Sequence, residues 1–382
     1  MDITIKPGPL RGNIHVIPSK SQAHRLLICA AFADKPTHIA CAASNQDIDA
    51  TVACLRALGA DIVATDTGFT VNPAKDIPEH AQLNCGESGS TLRFMLPIVG
   101  ALGVNATFIL SGRLAERPLS PLWEEMERMG CTLSRPDKNS ICCTGKLRSG
   151  VYQIDGGVSS QFITGLQFAH MLMDNCTLTT IGKAESKPYL ELTKSALSLF
   201  PNRHSPGNVS VEGDWSNGAF WLAANSLGSD LTVLGLDNAS LQGDRAVIDV
   251  LQLLNRGMAT VNVSDIPDLV PILSVVAAAK HGAVFTNIQR LRLKESDRVA
   301  SIVALLEGIG GSAVATEDTL QVSPATLIGG TIDSCNDHRI AMAAAIAATV
   351  CQENVTILGA DAVNKSYPTF WAEYRRLGGK YE

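Results

Sequence analysis

The stretch LRLKESDRVASIVALLEGIGG, residues 291–311, contains a complete element of an α/β fold. Leu291 and Leu293 alternate with a polar residue, as in the edge of a strand. The apolar residues that follow recur at helical spacing, and Ser296 or Asp297 can cap the helix that they predict. Glycine closes the run, as a left-handed helix C-cap requires. The stretch therefore predicts a strand exit that leads into a helix.

The same closing pattern, a helix that ends at glycine, recurs along the chain at intervals of roughly 50 to 70 residues. Each copy alone marks only a helix end, but together they predict about six α/β units, three before Asp214 and three after it. No linker rich in Pro or Ser divides the chain, so two domains joined by short crossings are expected, with a cleft suited to a small molecule. The copies lie at residues 55–60, 126–131, 254–258, 305–311 and 375–379, and residues 197–201 occupy the place of a sixth.

The composition is that of a globular chain long enough for two cores, with 382 residues, 46% hydrophobic and 18% charged. No apolar run reaches membrane-spanning length and the N-terminus begins like a strand, so a cytoplasmic location without a membrane partner is expected. Ten cysteines without a CxxC pair speak against a disulfide framework and a zinc site. The net charge of −6 argues against a broad nucleic-acid surface. Any anion site must then be a local concentration of Lys and Arg.

Several cations stand at predicted helix starts, where a cation opposes the helix dipole by a few tenths to about 1 kcal/mol. They occur in residues 18–25 (PSKSQAHR), in residues 86–93 (GESGSTLR), at Arg298 and at Arg339. Each lies beside Ser, Gly or Asn, so bound anions would explain the placement. Residues 86–90 could form a backbone nest for an anion, although a plain Gly-rich turn is an equal alternative. A solvated, capped helix start is likewise an equal alternative at Arg298.

Carboxylates are scarce among these cations, and two of them could serve acid/base chemistry. Asp268 precedes a hydrophobic helix, where an N-cap is the ordinary interpretation. Glu295 is the second candidate, since one group could remove a hydroxyl proton while the other delivers a proton to carbon. Ser159 and Ser160 precede another apolar helix, predicted from Phe162, either as an N-cap with a spare hydroxyl or as anion ligands.

Taken in order from end to end, the motifs of this chain resemble those of the 5-enolpyruvylshikimate-3-phosphate synthases, a family of enolpyruvyl transferases. The resemblance covers essentially the whole chain, and its specificity lies in the combination rather than in any single motif. The motifs are residues 18–25 (PSKSQAHR), 116–118 (ERP), 159–161 (SSQ), 186–189 (SKPY), 212–214 (EGD), 242–244 (QGD), 266–268 (IPD), 294–298 (KESDR), 336–339 (NDHR) and 365–368 (KSYP).

The resemblance implies an α/β fold of two similar domains, each of three βαβαββ units, with the active site in the interdomain cleft. The N-terminal domain would span residues 15–214, and the C-terminal domain residues 1–14 and 215–382, since the first strand returns to it. The implied reaction transfers the enolpyruvyl (carboxyvinyl) group of phosphoenolpyruvate to the 5-hydroxyl of shikimate 3-phosphate and releases phosphate through a tetrahedral intermediate. This step of the shikimate pathway leads to chorismate and the aromatic amino acids. A monomer without cofactor, metal or nucleic-acid partner is implied.

The resemblance also implies roles for individual residues. Asp268 would take the 5-hydroxyl proton, Glu295 would protonate the methylene carbon, and Lys20 would assist catalysis. The two substrates together carry two phosphates and a carboxylate, and binding them requires several Lys and Arg side chains. Guanidinium groups bind phosphate and carboxylate in a bidentate manner. Shikimate 3-phosphate would contact Lys20, Ser21, Arg25, Ser159, Ser160, Gln161, Ser186, Asp268 and Lys294. Phosphoenolpyruvate would contact Lys20, Gly89, Arg117, Gln161, Arg298, Arg339 and Lys365.

The chain departs from the common pattern of the family at several places. Residues 87–90 read ESGS where Asn-Ala-Gly-Thr is common, Phe94 replaces a proline, and Arg290 stands where some relatives have an Asn that helps bind the shikimate ring. A rival of the same fold acts on UDP-N-acetylglucosamine, but it shows Lys-Asn at residues 20–21 and a loop Cys at residues 116–118. An RNA 3′-phosphate cyclase would want a basic face, and a non-catalytic anion-binding protein would have no need for two carboxylates.

Overall fold

The structure, a computed structural model, describes residues 1–182 and 185–382. It divides into two compact units. The C-terminal unit comprises Met1–Ile17 and Gly213–Glu382, and the N-terminal unit comprises Pro18–Glu212. Each unit has a hydrophobic core of its own.

Helices and strands are interspersed along both units. The α-helices of the described residues are Lys20–Ala31 (α1), Gln46–Ala57 (α2), Gly89–Leu102 (α3), Leu122–Arg128 (α4), Ser160–Met171 (α5), Lys187–Leu199 (α6), Trp215–Ser226 (α7), Val247–Arg256 (α8), Val270–Ala279 (α9), Arg298–Gly308 (α10), His338–Ala347 (α11) and Phe370–Arg376 (α12). The strands are Ile3–Lys6 (β1), Arg11–His15 (β2), Thr37–Ala40 (β3), Asp61–Thr65 (β4), Gly68–Asn72 (β5), His80–Gly86 (β6), Asn105–Leu110 (β7), Cys131–Ser134 (β8), Ser140–Gly145 (β9), Gly150–Asp155 (β10), Cys176–Ile181 (β11), Asn208–Ser210 (β12), Asp230–Leu234 (β13), Ala259–Asn262 (β14), Ala283–Thr286 (β15), Ser312–Ala315 (β16), Thr319–Ser323 (β17), Gly330–Asp333 (β18), Val355–Leu358 (β19) and Lys380–Tyr381 (β20).

A βαβαββ module recurs in both units. The N-terminal unit has it as β6-α3-β7-α4-β8-β9, with the sheet order β6-β7-β9-β8. The C-terminal unit repeats it as β14-α9-β15-α10-β16-β17, with the order β14-β15-β17-β16. In both sheets the first two strands are parallel and joined through a helix, whereas the last two form an antiparallel hairpin. Burial alternates along β7, so one face of its sheet lies on the core.

Two further four-stranded sheets keep this order but take a strand from elsewhere in the chain. In the sheet β12-β3-β5-β4 the first position belongs to β12, which follows α6. In the sheet β18-β19-β1-β20, strand β1 lies between β19 and β20 and is antiparallel to both. Ile3 lies opposite Ile357, and Ile5 lies opposite Tyr381. The first strand of the chain therefore belongs to the C-terminal unit, as the resemblance implied.

The two remaining sheets of the described residues, β10-β11 and β2-β13, have two parallel strands each. The first follows the path β10-α5-β11-α6, which is the βαβα part of the module without its hairpin. The second pairs β2 with β13, which follows α7. With the four larger sheets they make the six α/β units that the glycine-closed helices predict.

The helix ends confirm the glycine pattern. Glycines with positive φ follow four of the helices. They are Gly59 after α2 (98°), Gly130 after α4 (115°), Gly310 after α10 (85°) and Gly378 after α12 (96°). Residues other than glycine rarely adopt such angles. Gly257 follows α8 with an extended φ of 167°, so no left-handed cap closes that helix. A strand begins within a few residues of each of these helix ends.

The strand predicted at Leu291 and Leu293 is wrong, because Gln289–Leu293 forms a 3-10 helix. Ile288 and Leu291 are buried at a spacing of three, whereas Leu293 is 43% exposed. That spacing is the period of a 3-10 helix and not of a strand. Asp297 accepts hydrogen bonds from two backbone N–H groups of the following turn, so the predicted cap of α10 is confirmed.

Central helices of both units are buried almost throughout. In the N-terminal unit α3 and α5 approach closely because Gly165 has no Cβ, which would otherwise collide with the backbone oxygen of Arg93. In the C-terminal unit every residue of α11 is buried, including His338 and Arg339 at its start. Since charged side chains are costly to bury alone, those at the starts of such helices need partners. The partners define the candidate site.

Candidate active site

Arg298, the first residue of α10, is 1% exposed and binds three carboxylates within the C-terminal unit. Its Nε lies 2.8 Å from Asp337 Oδ2, its Nη1 2.6 Å from Asp268 Oδ1, and its Nη2 2.5 Å from Glu295 Oε2. Burial lowers the pKa of this guanidinium, but the three carboxylates outweigh burial and raise the pKa well above its usual value. Carboxylates of the chain itself therefore offset the unfavourable cation at this helix start.

Asp268 does not cap α9, so the N-cap interpretation is wrong. The cap position belongs to Leu269, which makes no side-chain hydrogen bond. The Asp268 carboxylate instead faces cations: besides Arg298, Lys294 Nζ lies 3.2 Å from its Oδ1 and Arg339 Nη2 lies 3.4 Å from its Oδ2. Burial favours the neutral acid, but these cations outweigh burial and hold the pKa of Asp268 well below its usual value. The group is ionised at neutral pH and remains 19% exposed.

Lys294 can change its charge near neutral pH. Burial lowers its pKa to about 8, and the neighbouring Arg298 and Arg290 act in the same direction. Asp268 favours the charged form and limits the decrease. A lysine in this range can bind an anion when protonated and can also exchange a proton.

The start of α11 is anchored by Asp337, which is fully buried. Its Oδ1 accepts a hydrogen bond from the backbone N–H of Arg339 at 2.9 Å, and its Oδ2 accepts one from Ser296 Oγ at 3.1 Å. Burial raises the pKa of Asp337, but Arg298 outweighs that effect and leaves the pKa below its usual value. Asp337 therefore fixes α10 to the start of α11 through an ionised carboxylate.

Arg339 and Lys365 complete the cationic side of this cluster. Arg339 Nη1 also donates to the backbone oxygen of Asp268 at 3.3 Å. Lys365, the last residue of the 3-10 helix Ala360–Lys365, donates from Nζ to the backbone oxygen of Asn336 at 2.8 Å. The structure thus gathers the predicted site residues of the C-terminal unit around the starts of α10 and α11. They are Asp268, Lys294, Glu295, Arg298, Arg339 and Lys365.

In the N-terminal unit, α1 carries two of the predicted cations. Ser19 caps this helix and Lys20 is its first residue, with Nζ 2.9 Å from Asp47 Oδ2 in the first turn of α2. Arg25 lies in the second turn rather than the first, so the helix dipole does not explain its placement. It is buried and donates from Nε to Thr193 Oγ1 at 2.9 Å. Burial lowers the pKa of Arg25 to about 10, and the side chain remains charged at neutral pH.

The Arg25 guanidinium also joins the segments that carry the two predicted serines of this region. Its Nη1 donates to the backbone oxygen of Ser21 at 2.5 Å, and its Nη2 donates to the backbone oxygen of Tyr189 at 3.0 Å. Ser186 immediately precedes α6, is buried, and adopts a left-handed φ of 53° without capping the helix through its side chain. Arg25 therefore holds the starts of α1 and α6 together.

Gly89, the first residue of α3, lets the guanidinium of Arg117 lie directly against the backbone. A Cβ at Gly89 would stand 2.6 Å from Arg117 Nη1. Ser88 caps the helix, and Arg117 Nε is buried without a hydrogen-bond partner among residues 1–182 and 185–382. A guanidinium with an unused donor beside the N–H groups of a helix start is suited to an anion.

The start of α5 is tied to the start of α3. Ser159 caps α5 by accepting from the backbone N–H of Gln161 at 3.3 Å, and the helix begins at Ser160, two residues earlier than predicted. Gln161 Oε1 accepts from Arg93 Nη1 at 2.7 Å, and its Nε2 donates to Ser90 Oγ at 2.8 Å. Gln161 therefore joins the two helix starts near Gly89, with its amide bonded at both ends.

Four residues hold the predicted ones in place: Asp337, Arg93, Asp47 and Thr193. Of these, sequence reasoning considered only Arg93, as the cation of the predicted anion site at residues 86–93. The first two lie inside motifs quoted above, NDHR and GESGSTLR, so an acid or a base beside a helix start was an available signal. Asp47 and Thr193 occupy ordinary helix positions. Only their contacts with Lys20 and Arg25 reveal them.

No helix in the described part of the chain is long and apolar enough to cross a membrane. Across the same residues, no group of three or more His, Cys, Asp or Glu side chains could hold a metal ion. The ten cysteines are all free, and most of them are buried. Seven of them are buried, whereas Cys142 and Cys176 are half-buried and Cys335 is exposed.

Comparison with known families shows the family to which the chain belongs. A family model described as EPSP synthase (3-phosphoshikimate 1-carboxyvinyltransferase) matches residues 5–374. The chain belongs to this family. It is an enzyme of the shikimate pathway that transfers the enolpyruvyl group of phosphoenolpyruvate to shikimate 3-phosphate. The family match decides against the UDP-N-acetylglucosamine rival and against a non-catalytic binding protein.

Relatives and solved structures resemble the chain over its whole length. The 3-phosphoshikimate 1-carboxyvinyltransferase of Clostridium kluyveri is 35% identical over 417 residues, covering 100% of this chain and 98% of that protein. The one of Clostridium perfringens strain 13 is 34% identical over 416 residues, covering 99% and 98%. An EPSP synthase from Acinetobacter baumannii superposes with a TM-score of 0.80 at 22% identity, covering 100% and 99%. The enolpyruvyl transferase NikO from Streptomyces tendae superposes with a TM-score of 0.75 at 18% identity, covering 100% and 98%. These structures confirm the predicted fold class.

Proposed function

We propose that this enzyme acts on the 5-hydroxyl of shikimate 3-phosphate, with Asp268 as the base and Glu295 as the acid. The observation that supports this assignment is the pairing of both carboxylates with one buried guanidinium, at 2.6 and 2.5 Å from Arg298. Addition to the enol requires a proton to leave the hydroxyl oxygen and another to reach the methylene carbon. Two carboxyl groups fixed by one cation can serve these two transfers.

The proposed steps balance as an addition followed by an elimination. Glu295, a carboxylate in its pair with Arg298, first takes up a proton from water. The 5-hydroxyl oxygen then bonds to C2 of phosphoenolpyruvate, Asp268 takes the hydroxyl proton, and Glu295 gives its proton to C3. In the tetrahedral intermediate the bond between C2 and the bridging phosphate oxygen then breaks. C3 returns its proton to Glu295, and the phosphate leaves with the proton held by Asp268. The products are the enolpyruvyl ether and inorganic phosphate, and both carboxyl groups regain the states that they had before the addition.

Asp268 is a weak base in the unliganded enzyme, because its cations hold its pKa well below the usual value. Both substrates are anions, and a phosphate or carboxylate group bound by Lys294 or Arg339 would neutralise a charge that now faces Asp268. Each opposite charge within about 4–6 Å lowers the pKa of a carboxyl group by about 1–3 units, so its neutralisation raises the pKa by a similar amount. Substrate binding would thereby make Asp268 a stronger base.

The binding roles follow the clusters of each unit, and the two units correspond in this proposal to the two domains of the family. Arg117 has an unused buried donor beside Gly89, which supports an anion site for phosphoenolpyruvate at the start of α3. Arg25 holds the starts of α1 and α6, which supports a site for shikimate 3-phosphate there. The residues assigned to phosphoenolpyruvate are Lys20, Gly89, Arg117, Gln161, Arg298, Arg339 and Lys365. Those assigned to shikimate 3-phosphate are Lys20, Ser21, Arg25, Ser159, Ser160, Gln161, Ser186, Asp268 and Lys294.

The test is phosphate release from phosphoenolpyruvate by the purified enzyme, with shikimate 3-phosphate as acceptor. Asp268→Asn and Glu295→Gln should each lower kcat by about 10²- to 10⁴-fold, the range for general acid–base groups. The matched controls are Asp249→Asn and Glu317→Gln, which make the same chemical changes at positions of the same unit outside the cluster. Binding of shikimate 3-phosphate, measured by calorimetry, should persist in Glu295→Gln.

Loss of activity in the control variants as well would remove the support for acid–base roles. Release that persists at more than about a tenth of the normal rate in both site variants would contradict the assignment. Gel filtration and cell fractionation test the monomeric state and the cytoplasmic location that the proposal retains from the sequence.

A further inference from the structure

A buried chain of four polar side chains links the second turns of α1 and α2 to the start of α3 in the N-terminal unit. His24 Nδ1 lies 2.7 Å from Thr51 Oγ1, which lies 2.7 Å from Thr91 Oγ1. Thr91 Oγ1 lies 2.8 Å from Ser88 Oγ. His24, Thr51 and Thr91 are fully buried, and Ser88 is nearly so. Because its members come from three different helices, the chain fixes α1, α2 and α3 relative to one another.

The protons of this chain run in one direction. Thr91 Oγ1 donates to Ser88 Oγ, and a hydroxyl has one proton to give, so Thr51 must donate to Thr91. Thr51 must in turn accept from His24 Nδ1. Burial lowers the pKa of His24 to about 3, so the ring is neutral and carries a single N–H, which lies at Nδ1. The single hydroxyl proton of Thr91 is directed at Ser88 Oγ at 2.8 Å, with the backbone oxygen of Asp47 at 3.4 Å as a second acceptor.

One end of the chain, formed by Thr91 and Ser88, reaches residues proposed to bind phosphoenolpyruvate. Ser88, the acceptor at one end, is the cap of α3 and immediately precedes Gly89. Thr91 Oγ1 also lies 3.4 Å from the backbone oxygen of Asp47, whose carboxylate pairs with Lys20 Nζ at 2.9 Å. The chain therefore connects the helix start that carries Gly89 with the ion pair that carries Lys20.

We propose that His24, Thr51 and Thr91 are positioning residues. They fix Lys20 and Gly89 relative to each other for binding the anionic groups of phosphoenolpyruvate. This inference rests on the proposed function of those two residues. A buried polar network stabilises a fold no better than apolar residues of the same shape, but it specifies one arrangement of the elements that carry it. The alternative is that the chain serves stability alone, and the two roles differ in the kinetic constant that they affect.

Thr51→Val is the decisive variant, because valine keeps the shape and removes the hydroxyl in the middle of the chain. We expect the KM for phosphoenolpyruvate to rise about tenfold, with kcat and the KM for shikimate 3-phosphate changed less than about threefold. Thr51→Ser restores a hydroxyl and should restore the KM. The matched control is Thr37→Val, since Thr37 is also fully buried in this unit and bonds Ser205 Oγ at 2.6 Å, but lies in strand β3 rather than in a helix.

A Lys20→Met variant separates failure of this inference from failure of the proposed site. If Lys20→Met raises the KM for phosphoenolpyruvate and Thr51→Val does not, the positioning role is wrong and the site stands. If Lys20→Met leaves that KM unchanged, the proposed site fails and the positioning role fails with it. In the double variant the two effects should be less than additive, because Thr51 acts through Lys20. Additive effects would contradict the inference.

Should Thr51→Val not fold, His24→Leu takes its place. It breaks the chain at its far end and leaves the bond from Thr91 to Ser88 intact. The expected rise in the KM for phosphoenolpyruvate is then about threefold, again with the KM for shikimate 3-phosphate unchanged. An equal rise of both KM values, in step with a loss of stability in urea, would show a structural role only.

Discussion

Replacing Asp337 by asparagine should destabilise the C-terminal unit by about 3 kcal/mol, near the lower end of the range for breaking a buried ion pair. The new side chain would still offer one oxygen to cap α11, because asparagine caps helices about as well as aspartate. It would lose the charge that faces Arg298 Nε at 2.8 Å, and would place an amide N–H₂ or an uncharged oxygen there. The predicted loss of stability is near the lower end of that range because Arg298 keeps its contacts with Asp268 and Glu295.

Urea unfolding followed by tryptophan fluorescence measures this change. Trp215, Trp221 and Trp371 lie in the C-terminal unit and Trp123 lies in the other, so the signal mainly reports the unit that contains Asp337. With a slope of about 2–3 kcal/mol per molar urea, the midpoint should fall by about 1 M. Asp249→Asn, the same change at a position outside the cluster, should alter the free energy of unfolding by less than about 0.5 kcal/mol.

The pH dependence gives a second check with a defined sign. The folded-state pKa of Asp337 is lower than its unfolded value, so its contribution is present above the unfolded pKa, about 3.9, and is lost as the pH falls further. The difference in stability between the wild type and Asp337→Asn should therefore shrink below about pH 4. A midpoint shift no larger than that of the control at neutral pH would refute the reasoning that this buried carboxylate stabilises the cluster.

Three further predictions concern the site. The acid limb of kcat should lie at a higher pH than the acid limb of kcat/KM, because bound substrate neutralises cations around Asp268; coincident limbs would speak against that effect. Asp268→Asn should lower the pKa of Lys294 below its value of about 8, since the carboxylate favours the charged amine, and the pH dependence of amine labelling at this lysine measures it. Gly89→Ala should displace the Arg117 guanidinium and raise the KM for phosphoenolpyruvate about tenfold, with stability in urea changed by less than about 1 kcal/mol; an unchanged KM would show that the arginine does not act there.

Local chemistry made several elements of this protein predictable. Ser159 and Asp297 cap helices because a short polar side chain can reach the N–H groups of the next turn, whatever surrounds it. Glycine closes α2, α4, α10 and α12 because it alone tolerates a left-handed backbone cheaply. The fold class followed from the repetition of these signals and, with the family, from the order of the motifs along the whole chain.

The run from Leu291 to Leu293 shows where local signals fail. Two leucines separated by one residue fit a strand, but they also fit a turn of 3-10 helix that buries Leu291 beside Ile288. The length of such a run is too short for its period to decide. Packing against the hydrophobic core determines that this run is a 3-10 helix rather than a strand, and the sequence alone does not show that packing.

By itself the sequence determined which residue types stand at the helix starts, since capping and helix closure depend on neighbours within a few positions. Only the tertiary structure decided how those residues pair. Arg298 meets Asp268 and Asp337 across 30 and 39 positions of sequence, and Arg25 meets Thr193 across 168. Asp268 could cap a helix or face three cations, and the packing of α9, α10 and α11 selected the second. The physical reason is that a charge buried between helices must find its partner in space, and distance along the chain places no limit on which partner that is.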